Sequence, residues 1–221
     1  MLSKKVEAIE QAFCRLLQKN SFEKITVSRI CQDAGVSRAT FYTYFEDTRS
    51  LLSEIEDRTL DGLLQIQHKW ASVCLSTLCA EPVSPKFLDI ARYIYTNQDI
   101  FGALFGPYGN ESYIFTANQC AYLDFLRLAQ AEGTKSPELL ASCCAGAVIA
   151  LCRSWAADTS LATPEEIAQL HTAIVYRMLM LQDHFPVPAS QVPSWRPSLD
   201  DLTPPEETLW KWVRRGKPFA L

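Results

Sequence analysis

Apolar residues recur along this chain at three- and four-residue spacing, the period of a helix with one buried face, and period-two alternation is hard to find. The fold class this predicts is all-α. From Ser3 to about Asn20 the stripe is Val6, Ile9, Phe13, Leu16 and Leu17, with Lys4, Glu7, Glu10, Gln11 and Arg15 outside it. Thr26 opens a second helix running to Ala34, and Val27, Ile30 and Cys31 are its buried positions. Gly35 supplies the left-handed residue of a tight turn, Val36 points back inward, and Ser37 caps a third helix from Arg38 to about Phe45. Asp47-Thr48 starts a long helix whose stripe is Leu51, Leu52, Ile55, Leu60, Leu63, Leu64, Ile66 and Trp70. Further helices are expected over 85–97, 100–105, 112–131, 137–157 and 164–184.

Between Phe185 and Glu206 six prolines break the pattern, and one short helix over 206–215 carries Trp210 and Trp212. The expected organisation is therefore 1–47 as a three-helix head, 48–185 as a helical body, and 186–221 as a Pro-rich extension.

Charge modifies this picture in one place. The formal net charge of the 221 residues is -4, yet residues 1–49 hold eight basic against six acidic side chains, a net +2, which leaves -6 on the rest. A mildly basic head on an acidic body is compatible with nucleic acid at the head alone. The eight cysteines form no CxxC pair and sit among apolar helical residues, so they read as small reduced hydrophobes. His68, His171 and His184 have no ligand spacing, so no metal and no cofactor is implied. Lys4, Lys5, Glu7 and Glu10 break up any secretory stretch, and the apolar run from Leu139 to Cys152 is too short to span a bilayer. A buried helix there, a cytoplasmic location and no membrane contact are expected.

Two short helices, a glycine turn and a capped third helix make a helix-turn-helix. In such a unit the third helix enters the major groove, so its inner face must be apolar and its outer face small and hydrogen-bonding. Val36, Phe41 and Phe45 fall inward. Ser37, Arg38, Thr40, Tyr42, Thr43 and Tyr44 face out, Arg38 suited to a guanine edge or a phosphate and the hydroxyls to phosphate oxygens.

The segment TVSRICQDAGVSRATFYTYFEDTRSLL resembles the N-terminal domain of the TetR family of one-component regulators, matching its pattern at Thr26, Ile30, Ala34, Gly35, Val36, Ser37, Phe41, Tyr42, Tyr44 and Phe45. The resemblance implies that Tyr42 and Tyr44 clamp backbone phosphates, that Thr26 and Ser37 cap helices near the backbone, and that Arg38, Ala39, Thr40 and Thr43 lie nearest the bases. Where the family usually has a phosphate-binding Lys, this chain has Thr48 followed by Arg49, so that contact falls to a hydroxyl at the helix N-terminus or moves to Arg49. Weaker matches follow at Tyr93-Ile94-Tyr95-Thr96-Asn97 with Phe101, Leu104 and Phe105, and at Trp155 with Pro164-Glu165-Glu166-Ile167-Ala168. Together they span about residues 3–184.

The implied function is a regulator, most simply a repressor, that binds a palindromic double-stranded DNA operator as a homodimer and is released by a small-molecule effector. The effector site is expected among the body aromatics, at Trp70, Tyr93, Phe101 and Phe105, with Phe87, Tyr95, Tyr108, Tyr113 and Phe115 as further candidates. The dimer interface is expected on the two helices over 139–157 and 164–184, where Ala141, Ala145, Gly146, Ala147 and Ala150 allow close approach. A DNA-binding regulator without an effector is the alternative. An enzyme is a remote one, because no nucleophile elbow, phosphate loop, dinucleotide fingerprint or HExxH pattern occurs.

Overall fold

The structure is a computed structural model that describes residues 3–181; the Pro-rich extension and its expected helix over 206–215 lie outside the described residues. Helix starts follow the caps. The Ser3 hydroxyl accepts from the Val6 amide at 3.3 Å and opens α1 (Lys4–Leu17), which buries Val6, Ile9, Phe13 and Leu17. A 3-10 turn, Phe22–Lys24, then leads to α2 (Val27–Ala34) and α3 (Arg38–Tyr44). The rest is α4 (Thr48–Lys69), α5 (Leu75–Leu78), α6 (Pro85–Thr96), α7 (Gln98–Leu104), α8 (Glu111–Ala131), α9 (Pro137–Ala157), a second 3-10 turn, Thr159–Leu161, and α10 (Pro164–Leu181). No strand occurs among the described residues.

The head is α1 to α3, with α1 packed on α2 and also on α7 of the body. In the body α8 lies along α9, while α10 packs on α6 and α9. Between head and body runs α4, which packs on α6 and α8. The α4–α6 approach needs Gly62, because a Cβ there would fall 2.2 Å from the Tyr93 hydroxyl oxygen.

Several expectations are corrected. Helix α5 was not foreseen, since four residues are too few to show a period. Glu10, read as solvated, is buried at 4% exposure against a partner described below. Cys74 and Cys143 are exposed, whereas the other six cysteines are buried; all eight are free. Helix α9 reaches 21 residues, long and apolar enough in composition to cross a membrane, because Pro137 and Ala157 extend the run beyond Glu138 and Arg153. Nor is α9 wholly buried. Leu140, Ala141, Cys144, Ala145, Val148, Cys152 and Trp155 face the core, and Leu139, Cys143, Gly146 and Ala150 face out.

The body core also holds polar groups. Lys86 Nζ meets Asp124 Oδ2 at 2.5 Å, both nearly inaccessible, and Arg127 reaches the second oxygen at 3.0 Å. A buried pair of this kind adds little net stability but penalises any packing that separates it. Beside it the His171 ring stacks on Phe87 at 3.7 Å. Burial, with the Lys86 charge second, pushes the His171 imidazole down to about 3.

This has a measurable consequence. The unfolded chain protonates this imidazole near pH 6.5 and the folded chain not until about pH 3, so stability falls with pH across that window. A single such group contributes a slope of about 1.4 kcal/mol per pH unit. His171→Phe, which keeps a ring on Phe87, should show a smaller loss between pH 6 and pH 4.5 than the parent, by about 2 kcal/mol in denaturant unfolding. Equal losses in the two proteins would contradict a neutral, buried His171.

Candidate nucleic-acid interface

The outer surface of the head is built by two caps and one glycine. Thr26 Oγ1 accepts from the Arg29 amide at 3.3 Å and starts α2. Gly35 ends α2 at φ 67°, a conformation that costs a side-chain-bearing residue roughly 1–2 kcal/mol. Ser37 Oγ accepts from the Thr40 amide at 3.1 Å and lies 3.0 Å from the Thr40 hydroxyl, so α3 starts two residues after the turn. The turn thereby sets α3 across α2 with its apolar side down.

Phe41 and Phe45 are buried, and their ring centroids lie 5.6 Å apart. They anchor α3. The opposite face presents Ser37, Arg38, Ala39 and Thr43, all exposed, with Thr40 half-buried. Tyr42 and Tyr44 are 57% and 39% exposed, so neither is a core tyrosine. Each ring nonetheless rests on a buried one, Tyr42 edge-on to Phe41 at 5.6 Å and Tyr44 on Phe45 at 6.5 Å, which holds both hydroxyls at the surface. Thr43 Oγ1 donates back to the Ala39 carbonyl at 2.9 Å.

At the next helix the arrangement differs from the expectation. Asp47 caps α4, its Oδ1 accepting from the Ser50 amide at 2.7 Å while its own amide donates to Ser50 Oγ at 3.1 Å. Thr48 is thus beside an N-terminus that already carries an anionic cap. Arg49 is exposed, and its guanidinium lies 6.0 Å from the centre of the Phe22 ring.

The head is tied to α4 by a pair that the apolar pattern did not reveal. Arg58 donates through both terminal nitrogens to Glu10, at 2.5 and 2.8 Å. The signal in the sequence was a carboxylate one residue from Ile9 and three from Phe13, at the edge of the apolar stripe of α1. On either side of Arg58 in α4, Asn110 Nδ2 donates to Glu56 at 2.8 Å and Tyr113 donates to Thr59 at 3.0 Å.

The four expected effector residues are not all brought together. Tyr93, Phe101 and Phe105 form consecutive ring contacts at 5.7 Å, continued by Tyr113 at 5.7 Å. Phe101 and Phe105 are core side chains. Trp70 stands apart, its indole N–H donating to Asp89 at 2.9 Å. A groove of about 560 Å³ opens elsewhere, where the head meets the body, and Tyr108 is the one earlier candidate among its walls.

A capped, glycine-hinged helix pair with a polar outer face and an aromatic inner one is a helix-turn-helix DNA-binding unit on a helical body. The bacterial regulatory proteins of the tetR family have a sequence model that matches residues 10–55. The chain is 47% identical over 56 residues to the HTH-type dhaKLM operon transcriptional activator DhaS of Lactococcus lactis subsp. lactis (strain IL1403), a match covering 25% of this chain and 30% of that protein. Beyond the head the likeness is one of fold. NalD, described as the secondary repressor of the MexAB-OprM multidrug efflux pump in Pseudomonas aeruginosa, superposes with a TM-score of 0.57 at 17% identity, over 79% of this chain and 95% of that one. The fatty acid degradation regulator FadR from Bacillus halodurans gives 0.52 at 15% identity, over 82% and 96%. Residues 10–55 of this chain thus match the tetR family of bacterial regulatory proteins, and the rest of the described residues share the fold of regulators that carry such a domain.

The Glu10–Arg58 pair yields a stability prediction. Arg58→Met leaves a carboxylate at 5% side-chain exposure without its guanidinium. Because Arg58 is itself 37% exposed, we expect a cost of about 2–3 kcal/mol, below that of a fully buried pair. Glu10→Gln added to Arg58→Met should recover at least half of it, as read by chemical unfolding. No recovery in the double variant would show that the packing of Arg58, not the charge of Glu10, sets the cost.

Proposed function

We propose that this chain regulates transcription by binding a palindromic DNA operator as a homodimer, with α3 of each protomer in a major groove. The observation that carries the reading is the division of α3 into a buried Phe41/Phe45 face and an exposed face of Arg38, Ala39, Tyr42, Thr43 and Tyr44, with Thr40 half-buried at its edge. Within it, Arg38, Ala39, Thr40 and Thr43 read bases, and Tyr42 and Tyr44 hold phosphates. Thr26 and Ser37 support the helix ends near the backbone, with Thr48 and Arg49 at the edge of the contact.

One helix of seven residues touches too few base pairs to specify a site alone; a two-fold dimer presents two, about 34 Å apart. The exposed faces of α9 and α10 support such a dimer. Leu139, Cys143, Gly146 and Ala150 on α9 are exposed, as are Leu170, Ala173 and Tyr176 on α10, while the opposite faces of both helices are buried in their own chain. Two such helices from each protomer make a four-helix bundle. The compared proteins include an activator and a repressor by name. We favour repression for this chain, through an operator that overlaps its promoter. The same surface would serve an activator at a site further upstream. A small-molecule effector completes the proposal. Tyr93, Phe101 and Phe105, with Trp70 at the far end of α4, link the body to this helix, so a ligand that shifts them re-aims the head.

The reading is tested on DNA selected from a random pool. Arg38→Ala should cost about 1–3 kcal/mol on the selected site and relax preference at one position per half-site, whereas Tyr42→Phe should weaken all sequences alike. Unaltered preference in Arg38→Ala would remove it from base reading.

The interface has its own test. A Cβ at Gly146 meets nothing within 4 Å in the protomer, so Gly146→Glu should fold as well as the parent. In sedimentation it should shift the protein from dimer to monomer, and operator affinity should fall at least about tenfold, since half of the contacts are lost. A variant that remained dimeric would place the interface elsewhere.

A further inference from the structure

The groove at the junction of head and body has walls from both. The head contributes Leu17 at the end of α1 and Ser21, Phe22 and Glu23 in the 3-10 turn. The first turns of α4 contribute Arg49, Leu52, Ser53 and Glu56, and the α7–α8 connection contributes Pro107 to Asn110, with Glu111 opening α8. At about 560 Å³ it lies within the range of small-molecule sites.

Its chemistry is one-sided. Three carboxylates, Glu23, Glu56 and Glu111, face one cation, Arg49. Glu56 is buried, with Asn110 holding one of its oxygens at 2.8 Å; Glu23 and Glu111 are exposed. Two rings, Phe22 and Tyr108, supply flat apolar surface. The Phe22 face already has a guanidinium over it, that of Arg49 at 6.0 Å, so a planar cation has a precedent there within the chain itself. A negative, ring-lined groove favours a ligand with a planar aromatic body and a delocalised positive charge, and disfavours its anionic counterpart.

We propose that this groove is an effector site for an aromatic organic cation, which stacks on Phe22 and Tyr108, pairs with Glu23 and Glu111, and displaces Arg49 from the Phe22 ring. The proposal rests on the regulator reading and gives its effector a place and a chemical class. A ligand there touches the head turn, α4 and the α7–α8 connection at once, so it fixes the angle between head and body. Operator affinity changes by the factor that the operator changes ligand affinity.

Naphthalene-2-carboxamidine tests the site, with naphthalene-2-carboxamide as the uncharged isostere and naphthalene-2-carboxylate as the anion, all titrated by calorimetry against the DNA-free protein. The amidine should bind at least about tenfold more tightly than the amide, as a charge-assisted pair requires, and the carboxylate should bind least. Glu23→Gln with Glu111→Gln should remove most of that preference, while Arg49→Ala should tighten the amidine several-fold by clearing its competitor. Those two glutamate substitutions are at exposed positions, and near-ultraviolet circular dichroism of each variant checks that the fold is kept. Equal binding of amidine and amide, no binding of either, or an Arg49→Ala variant that binds the amidine more weakly would overturn the proposal. Because operator binding is measured separately without ligand, loss of the regulator reading would show as absent sequence-specific DNA binding, irrespective of the amidine result.

Discussion

The Glu10 carboxylate lies inside the packing of α1, and taking an ion out of water there costs several kcal/mol unless a partner with matching geometry is supplied. Arg58 supplies it through two parallel hydrogen bonds from one turn of α4. A bidentate pair tolerates little rotation, so it fixes how far along α4 the head can sit. The other α4 contacts then fall into register. Glu56, two residues before Arg58, meets Asn110, which caps α8; Thr59 meets Tyr113 in the first turn of α8; the Tyr93 hydroxyl meets the Arg58 carbonyl over the surface that Gly62 leaves open.

This makes α4 a shared beam. At its N-terminus the Asp47–Ser50 box sets where α3 ends and α4 begins, and at its C-terminus Trp70 is held by Asp89 of α6. Between these points the rings of Tyr93, Phe101, Phe105 and Tyr113 run through α6, α7 and α8 and return to α4 at Thr59. Close-packed rings transmit displacement better than they absorb it. A change at α6 or at the α7–α8 connection therefore has a path to the angle of the head, and in the proposed dimer that angle would decide whether two recognition helices match successive grooves.

How much of this was legible in the sequence depends on whether the signal was local. The head was, because its chemistry lies in caps and a turn: Thr26, Gly35 and Ser37 each act within four residues of themselves. The alternation of Phe41 and Phe45 with Tyr42 and Tyr44 likewise placed the exposed face of α3 without tertiary information. Long-range pairs were not legible. Glu10 and Arg58 are 48 residues apart, and Lys86 and Asp124 are 38 apart, so each looked like an ordinary solvated charge. The aromatic stripes of the body were ambiguous for a related reason. Tyr93, Phe101 and Phe105 have the spacing and character of a pocket lining, and their spacing alone does not show that they meet one another ring to ring at 5.7 Å. The groove was missed because Phe22, Arg49 and Tyr108 come from three separate segments, two of them connections without a period.

In the proposed dimer, α3 of each protomer, carried by a head that the Glu10–Arg58 pair joins to α4, would read DNA in two successive major grooves. Hydroxyl-radical footprinting of the parent protein on a site selected from random DNA measures this directly. The account predicts two symmetric protected patches centred about one helical turn, roughly 34 Å, apart, and no discrete protection on unrelated DNA. A single unsymmetrical patch, or the same protection on every sequence, would contradict it.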